Sequence, residues 1–209
     1  MKEKEGRVLI FDFDGTIVDS KKVYYNALEK HLGHLGFGKK KADKLIDLGL
    51  SITETLKNIG VSPVLRWWEK RAIMKEVIKE VKKVKECRDV EDVKKLVGKK
   101  ILISNSLSEF IFPVLRHLKI EDEFDEIYGA DAFDNKEEFI GEYIRRNGID
   151  KKNCYYVGDR RADVKLARSL GIVSVALSTK CSWNSRSEML KEKPDFMIFD
   201  LANLKEILG

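Results

Sequence analysis

Residues 7–19, RVLIFDFDGTIVD, decide the fold of this chain. The first five residues are mostly apolar, which is typical of a strand buried on both faces of a parallel sheet. The run ends at two carboxylates, Asp12 and Asp14, and then at Gly15. Open α/β folds place their ligand sites at the carboxyl ends of such strands. Gly15 permits the chain to curl directly after the two acids.

The two acids have a functional and a purely structural interpretation. Ionised carboxylates this close repel each other, and burial raises the cost. A divalent cation would offset the repulsion, and Mg²⁺ prefers oxygen ligands. One acid would then serve as a nucleophile or metal ligand and the other as a general acid/base. The alternative is a strand that simply ends in an Asp-Gly turn.

The remaining pattern alternates strands with helices. Five further apolar runs predict strands at residues 100–106, 124–128, 154–159, 172–177 and 196–199. Helical spacing connects them, which predicts an α/β fold with a doubly wound, Rossmann-like parallel sheet. Residues 19–97 differ, because their apolar positions follow a helical period throughout. We therefore expect a core of residues 1–18 and 98–209 and an inserted, all-helical domain at 19–97.

Within the helical segment we expect helices at residues 20–32, 41–48 and 52–59 and a longer one from Ser62-Pro63 to Lys85. Trp67 and Trp68 are adjacent on that last helix, so at most one of them faces any given surface. We expect Trp68 to pack in the core of the segment.

Composition narrows the class of protein. The chain has 209 residues, a net charge of +5 and 36% charged residues, a balance typical of heat-adapted proteins. No apolar run has the length of a membrane span or signal peptide, so we expect a cytoplasmic protein without membrane contact. The basic-aromatic run at residues 66–71 has no accompanying nucleic-acid-binding motif, and binding to nucleic acid is disfavoured.

Cys87, Cys154 and Cys181 are widely spaced and form no CxxC pair. In a cytoplasmic chain this pattern indicates reduced thiols instead of disulfides or a zinc site.

Three predicted strands end in chemically useful residues. The first predicted strand ends at Asp12 and Asp14, and the second ends at Ser104 and Asn105. The fourth ends at Asp159, with Asp163 four residues later. Lys136 begins the helix after the third strand. Carboxylates, a cation, a hydroxyl and a lysine are the groups that neutralise a transferring phosphoryl group. We expect these residues to meet Asp12 at one edge of the sheet.

In this motif order the chain resembles the haloacid dehalogenase (HAD) superfamily, and specifically its phosphoglycolate-phosphatase-like branch with a helical cap. Four motifs carry the resemblance: residues 12–16 (DFDGT), residues 103–105 (ISN), Lys136, and residues 157–163 (VGDRRAD). The helical segment lies where that branch inserts its cap. Arg160 and Arg161 stand in the fourth motif where small or polar residues are more common. We interpret them as surface charge, and the alternative is that they act at the mouth of the substrate site.

The resemblance implies a Mg²⁺-dependent phosphomonoesterase acting on a small phosphorylated metabolite. Asp12 would be the nucleophile that forms an aspartyl-phosphate, and Asp14 the general acid/base. Asp12, Asp159 and the backbone carbonyl of Asp14 would hold the metal, and Ser104, Asn105 and Lys136 the phosphate. Gly15, Thr16 and Asp163 would support the site.

Two other functions stay open at this point. A sugar-phosphate mutase on the same scaffold would return the phosphoryl group to a sugar instead of to water. A non-catalytic phospho-ligand-binding protein would keep the fold without the chemistry. The sequence does not predict the oligomeric state.

Overall fold

The computed structural model describes residues 6–33, 52–88 and 90–209. Its strands are β1 (Val8–Phe11), β2 (Val18–Asp19), β3 (Lys85–Glu86), β4 (Lys99–Ile103), β5 (Glu126–Tyr128), β6 (Cys154–Gly158), β7 (Val173–Leu177) and β8 (Phe196–Ile198). Six of them form a sheet in the order β5-β4-β1-β6-β7-β8, and every neighbouring pair is parallel. The predicted sheet is confirmed, with small shifts at the strand ends.

The sheet is flanked by helices, and its winding reverses beside β1. The helices are α1 (Lys21–Leu32), α2 (Ile52–Asn58), α3 (Pro63–Lys79), α4 (Ser108–Leu118), α5 (Lys136–Arg146), α6 (Arg161–Leu170), α7 (Arg186–Lys191) and α8 (Leu204–Leu208). The chain first adds β4 and β5 on one side of β1 and then β6, β7 and β8 on the other. The carboxyl ends of β1 and its neighbours therefore border a topological switch point, where open α/β sheets bind ligands.

β1 is the central strand and is buried on both faces. Leu9 and Phe11 belong to the hydrophobic cluster on one face of the sheet, whereas Val8 and Ile10 belong to the cluster on the other face. All four side chains are at most 6% exposed. An uninterrupted apolar run is what this position requires, because alternate residues enter different cores.

The segment between β2 and β3 is helical where the structure describes it. α3 packs against both α1 and α2, and β2 pairs with β3 in a short antiparallel ribbon at the base of the segment. The sequence did not predict this ribbon. The helix expected to reach Lys85 ends at Lys79, because the chain must turn to bring Lys85 beside Asp19. The helix predicted over 41–48 lies outside the described residues.

The prediction that Trp68 packs in the core is wrong. Its side chain is 62% exposed, and the ring contacts that of Trp67, which is 55% exposed. The buried residues of α3 are Ile73, Met74 and Val77, which lie further along the helix. The N-terminal half of α3 therefore projects beyond the part that packs in the core.

The prediction that all three cysteines are reduced is also wrong. Cys87, which directly follows β3, forms a disulfide with Cys181 in the loop after β7, and their Cα atoms lie 6.1 Å apart. Cys154 is buried and free. The two bridged residues are 94 positions apart, so their proximity arises only from the folded chain and not from a local motif. The bridge joins the base of the helical segment to the sheet domain.

Among the described residues, no helix combines the length and the apolar character needed to cross a membrane.

Candidate active site

The chain curls immediately after β1, as the sequence predicted. Gly15 has a φ of +80°, a left-handed conformation that favours glycine. Its N–H donates to the carbonyl of Val18 at 2.8 Å, and the N–H of Ile17 donates to the carbonyl of Phe13 at 2.9 Å. A Cβ atom at Gly15 would overlap the Asp159 carboxylate. The turn therefore needs glycine for its conformation and also for the close approach of Asp159.

Three buried carboxylates converge beside this turn. Asp12, Asp159 and Asp163 each offer an oxygen, and the three oxygens lie within 4.8 Å of one another. The three residues are at most 7% exposed. Hard oxygen donors at this density suit a divalent cation such as Mg²⁺. The side chains of Asp12 and Asp159, from different strands, are thus close enough to share an ion.

Asp12 is paired with a lysine. The Nζ of Lys136, the first residue of α5, donates to Asp12 Oδ1 at 2.7 Å, and both side chains are buried. Asn135 caps the helix by accepting hydrogen bonds from the backbone N–H groups of Glu137 and Glu138. The cap fixes the start of α5 and hence the position from which Lys136 reaches the acid cluster.

Asp159 and Asp163 are also held by hydrogen bonds. Thr16 donates its hydroxyl to Asp159 Oδ1 at 3.1 Å, and the backbone N–H of Trp183 donates to Asp159 Oδ2 at 2.6 Å. The backbone N–H of Arg160 donates to Asp163 Oδ2 at 2.9 Å. The loop after β7, which carries Trp183, is therefore part of the site, and no sequence motif signalled it.

Burial raises the pKa of two acids of the cluster, Asp163 and Asp159. Desolvation raises the pKa of Asp163 to about 6, and the nearby negative charge of Asp12 adds to the increase. The pKa of Asp159 is also raised well above its usual range, mainly by burial. The cost of ionising this cluster is the physical reason to expect a cation there.

Asp14 is not part of the three-acid cluster, and its carboxylate accepts hydrogen bonds from hydroxyl groups. Ser20 donates to Asp14 Oδ1, and Ser106 donates to Asp14 Oδ2. The hydroxyl of Tyr24, on α1, lies 2.7 Å from the Ser106 oxygen. Burial raises the pKa of Asp14 even though both serine hydrogen bonds lower it. Such a carboxyl retains its proton to a higher pH than usual, which suits a general acid.

Ser20, Ser106 and Tyr24 were not among the site residues predicted from the sequence. Ser106 lies two residues beyond Ser104 at the same predicted strand end, so its position was a usable signal. Ser20 and Tyr24 belong to the segment after the turn, and only the fold places them against Asp14.

A cavity of about 660 Å³ opens above the acids, a size that suits a small ligand. Ser104, Asn105 and Lys136 line it from the edge of the sheet. Ser104 is buried and accepts a hydrogen bond from the Ser106 N–H at 3.0 Å. The helical segment contributes the opposite wall with residues that include Leu28, Thr53, Lys70 and Met74. All the sequence-predicted site residues therefore lie at the turn, in the acid cluster or on the cavity wall.

The interpretation of Arg160 as surface charge is wrong. Its guanidinium lies against the ring of Trp183, with Cζ 3.9 Å from the ring centroid, and the residue lines the cavity. Arg161 turns away and pairs with Glu192. Two adjacent arginines thus have different surroundings, because Arg160 ends the loop at the sheet edge and Arg161 begins α6.

Three features together define a class of α/β hydrolase: a parallel sheet with a topological switch point, a turn that carries two aspartates, and a cluster of three acids beside that turn. The chain belongs to the haloacid dehalogenase-like hydrolase family, whose sequence profile matches residues 9–177.

The sequences of relatives in this family align with most of this chain. It is 26% identical to a phosphoglycolate phosphatase of Aquifex aeolicus over 97% of this chain and 96% of that protein. It is 25% identical to a phosphoglycolate phosphatase of Pseudomonas syringae pathovar tomato over 95% of this chain and 78% of that protein.

Solved structures show the same fold. A haloacid dehalogenase-like hydrolase of Streptococcus pneumoniae superposes with a TM-score of 0.82 at 18% identity, over 100% of both chains. A protein of Thermotoga maritima named as a candidate β-phosphoglucomutase superposes with a TM-score of 0.68 at 18% identity, over 97% of this chain and 98% of that chain.

Proposed function

We propose that the protein is a Mg²⁺-dependent phosphomonoesterase that hydrolyses a small phosphorylated metabolite through an aspartyl-phosphate intermediate. The observation that carries the proposal is the convergence of Asp12, Asp159 and Asp163 beside Lys136 at the edge of the sheet. Buried acids that repel one another are costly unless a cation offsets them, and a divalent cation also stabilises the charge that develops in phosphoryl transfer. The relatives named phosphoglycolate phosphatase support this reaction class.

Asp12 is the proposed nucleophile. Its carboxylate oxygen attacks phosphorus, and the bond from phosphorus to the ester oxygen breaks. We propose that Asp12, Asp159 and the backbone carbonyl of Asp14 hold the metal, with Asp163 behind them. When bound, the cation supplies positive charge that offsets the repulsion between the acids and neutralises the phosphoryl oxygens. Thr16 and the Trp183 N–H orient Asp159 for this role.

Asp14 is the proposed general acid/base. In its protonated form it gives a proton to the departing ester oxygen. The resulting carboxylate then takes a proton from the water that attacks phosphorus and breaks the bond to Asp12. The hydroxyls of Ser20 and Ser106 fix the direction in which the carboxyl group points.

Ser104, Asn105 and Lys136 are the proposed phosphate ligands. Ser104 and the Asn105 backbone offer hydrogen-bond donors, and the ammonium group of Lys136 offers positive charge. Because Lys136 contacts Asp12 directly, it holds the nucleophile and would meet the incoming phosphoryl group at the same place.

We propose that the helical segment is a cap domain that excludes water and selects the substrate. Support comes from its position, since α1, α2 and α3 supply one wall of the cavity. Its boundaries at residues 19 and 97 and a cytoplasmic location belong to the same proposal.

The test measures inorganic phosphate released from 2-phosphoglycolate and from an aryl phosphate in the presence of Mg²⁺. Asp12→Asn keeps the size of the side chain and removes the nucleophile, so turnover should fall to background while the folded state persists. Lys152→Ala, an exposed substitution remote from the cavity, is the matched control and should turn over like the wild type. Undiminished turnover by Asp12→Asn, or activity that survives removal of metal by EDTA, would refute the proposal.

A further inference from the structure

Arg160 has chemistry that the proposed reaction does not use. The residue follows Asp159 directly and lines the cavity. Its Nε is buried and has no hydrogen-bond partner among the described residues. A guanidinium is always charged and carries N–H donors in a planar fork. An unmatched buried donor is costly, and the rest of the side chain lines the cavity, where a ligand can reach the guanidinium.

The acids of the site do not account for Arg160. Asp12 pairs with Lys136, and Asp14 accepts from two serines. Asp159 is held by Thr16 and by a backbone N–H.

Among the described residues, no ion pair within 4.0 Å joins the Arg160 guanidinium to any carboxylate, whereas neighbouring Arg161 pairs with Glu192. Arg160 therefore contributes a long-range field to the acids without being bound by one of them.

Trp183 fixes the orientation of the guanidinium. Stacking with Cζ 3.9 Å from the ring centroid occupies one face of the guanidinium, so the N–H groups on its edge are left for other contacts. Trp183 is itself tied to the acid cluster, because its backbone N–H donates to Asp159 at 2.6 Å. The arginine fork is thus held at a set position relative to the phosphoryl site, which is the preorganisation that ligand binding rewards.

We propose that Arg160 binds a second anionic group of the substrate, so that the substrate is a phosphomonoester carrying a carboxylate or a second phosphate close to the ester. The inference rests on the proposed function and narrows its substrate class. Arginine matches both anions with bidentate hydrogen bonds, and a 660 Å³ cavity accommodates a small dianionic metabolite.

The experiment compares three substrates that differ at one end: 2-phosphoglycolate, ethylene glycol monophosphate and ethylene glycol bisphosphate. The first and third carry a carboxylate and a second phosphate, and the second carries a neutral hydroxyl. From the usual strength of hydrogen bonds between charged groups, the wild type should favour an anionic substrate over the neutral one by about 10- to 150-fold in kcat/KM. Which anionic substrate is favoured identifies the group that Arg160 binds.

Arg160→Gln should bring this preference close to unity, mainly by raising KM for the anionic substrate, and Arg160→Lys should restore part of it. Arg161→Gln is the matched control and should keep the wild-type ratio. Two results would overturn the inference: an equal loss on all three substrates, which a purely electrostatic role predicts, or a preference that survives Arg160→Gln.

Failure of the inference is distinguishable from failure of the proposed function. A wild type that hydrolyses all three esters without preference refutes the inference alone. A wild type that hydrolyses none of them and no aryl phosphate refutes the proposed function, and calorimetric titration of the same three compounds then decides the inference. Tighter binding of an anionic compound that is lost in Arg160→Gln supports it, and equal binding of all three contradicts it.

Discussion

Breaking the bridge between Cys87 and Cys181 should markedly destabilise the protein. The bridge closes a loop of 94 residues. In the chain-entropy account, a disulfide spanning a loop of that length lowers the entropy of the unfolded state enough to stabilise the fold by about 4–5 kcal/mol. For a chain of this size a change of 1 kcal/mol shifts Tm by about 2–4 °C. Reduction should therefore lower Tm by about 8–20 °C.

The assay is thermal unfolding followed by circular dichroism, with and without a reductant. The double substitution Cys87→Ala and Cys181→Ala should melt like the reduced wild type, and reductant should leave its Tm unchanged. Thiol titration of the denatured, unreduced wild type should find one free thiol per chain, Cys154. Three free thiols, or a wild-type Tm that does not respond to reductant, would refute the reasoning.

Three further predictions concern the site. Ser106→Ala removes a hydrogen bond to Asp14 and should slow the hydrolysis of alkyl phosphates by about tenfold. Aryl phosphates should be affected less, because an aryl leaving group needs less protonation. An equal effect on both kinds of substrate would contradict the role of Asp14. Gly15→Ala places a residue with a Cβ atom at a backbone φ of +80°, where that atom would overlap Asp159. It should lower the free energy of unfolding by at least about 1–2 kcal/mol. Urea titration measures this change, and an unchanged unfolding midpoint would contradict the prediction. In the metal-free protein, burial raises the pKa of Asp163 from its ordinary value of 3.8 to about 6, which gives stability that is present below pH 3.8 and lost as pH rises through 6. Tm should therefore fall over that interval, and Mg²⁺ should suppress the fall. A flat profile without metal would count against the buried acid cluster.

The sequence predicts well both the strands and the site residues at their carboxyl ends, since both follow from local pattern. An uninterrupted apolar run identifies β1, and the carboxyl-edge rule for parallel sheets brings Asp12 and Asp159 together. Gly15 predicts the turn because few other residues adopt its backbone conformation. These inferences use neighbouring residues or one general rule of topology.

The features that the sequence analysis misjudged depend on contacts between distant segments. Arg160 resembles surface charge until Trp183, in a loop without a motif, is placed beside it. The pairing of Cys87 with Cys181 depends on how the helical segment rejoins the sheet domain. Trp68 follows a helical period that continues beyond the part of α3 that is buried, and period alone does not show where burial stops.

Rapid acid quench during turnover, followed by mass spectrometry of the digested protein, tests the central claim most directly. The account predicts a phosphoryl group on the peptide that contains Asp12, forming and decaying as fast as phosphate is released, and absent from the Asp12→Asn variant. A phosphoryl group on another residue, or phosphate release without labelled protein at any quench time, would contradict it.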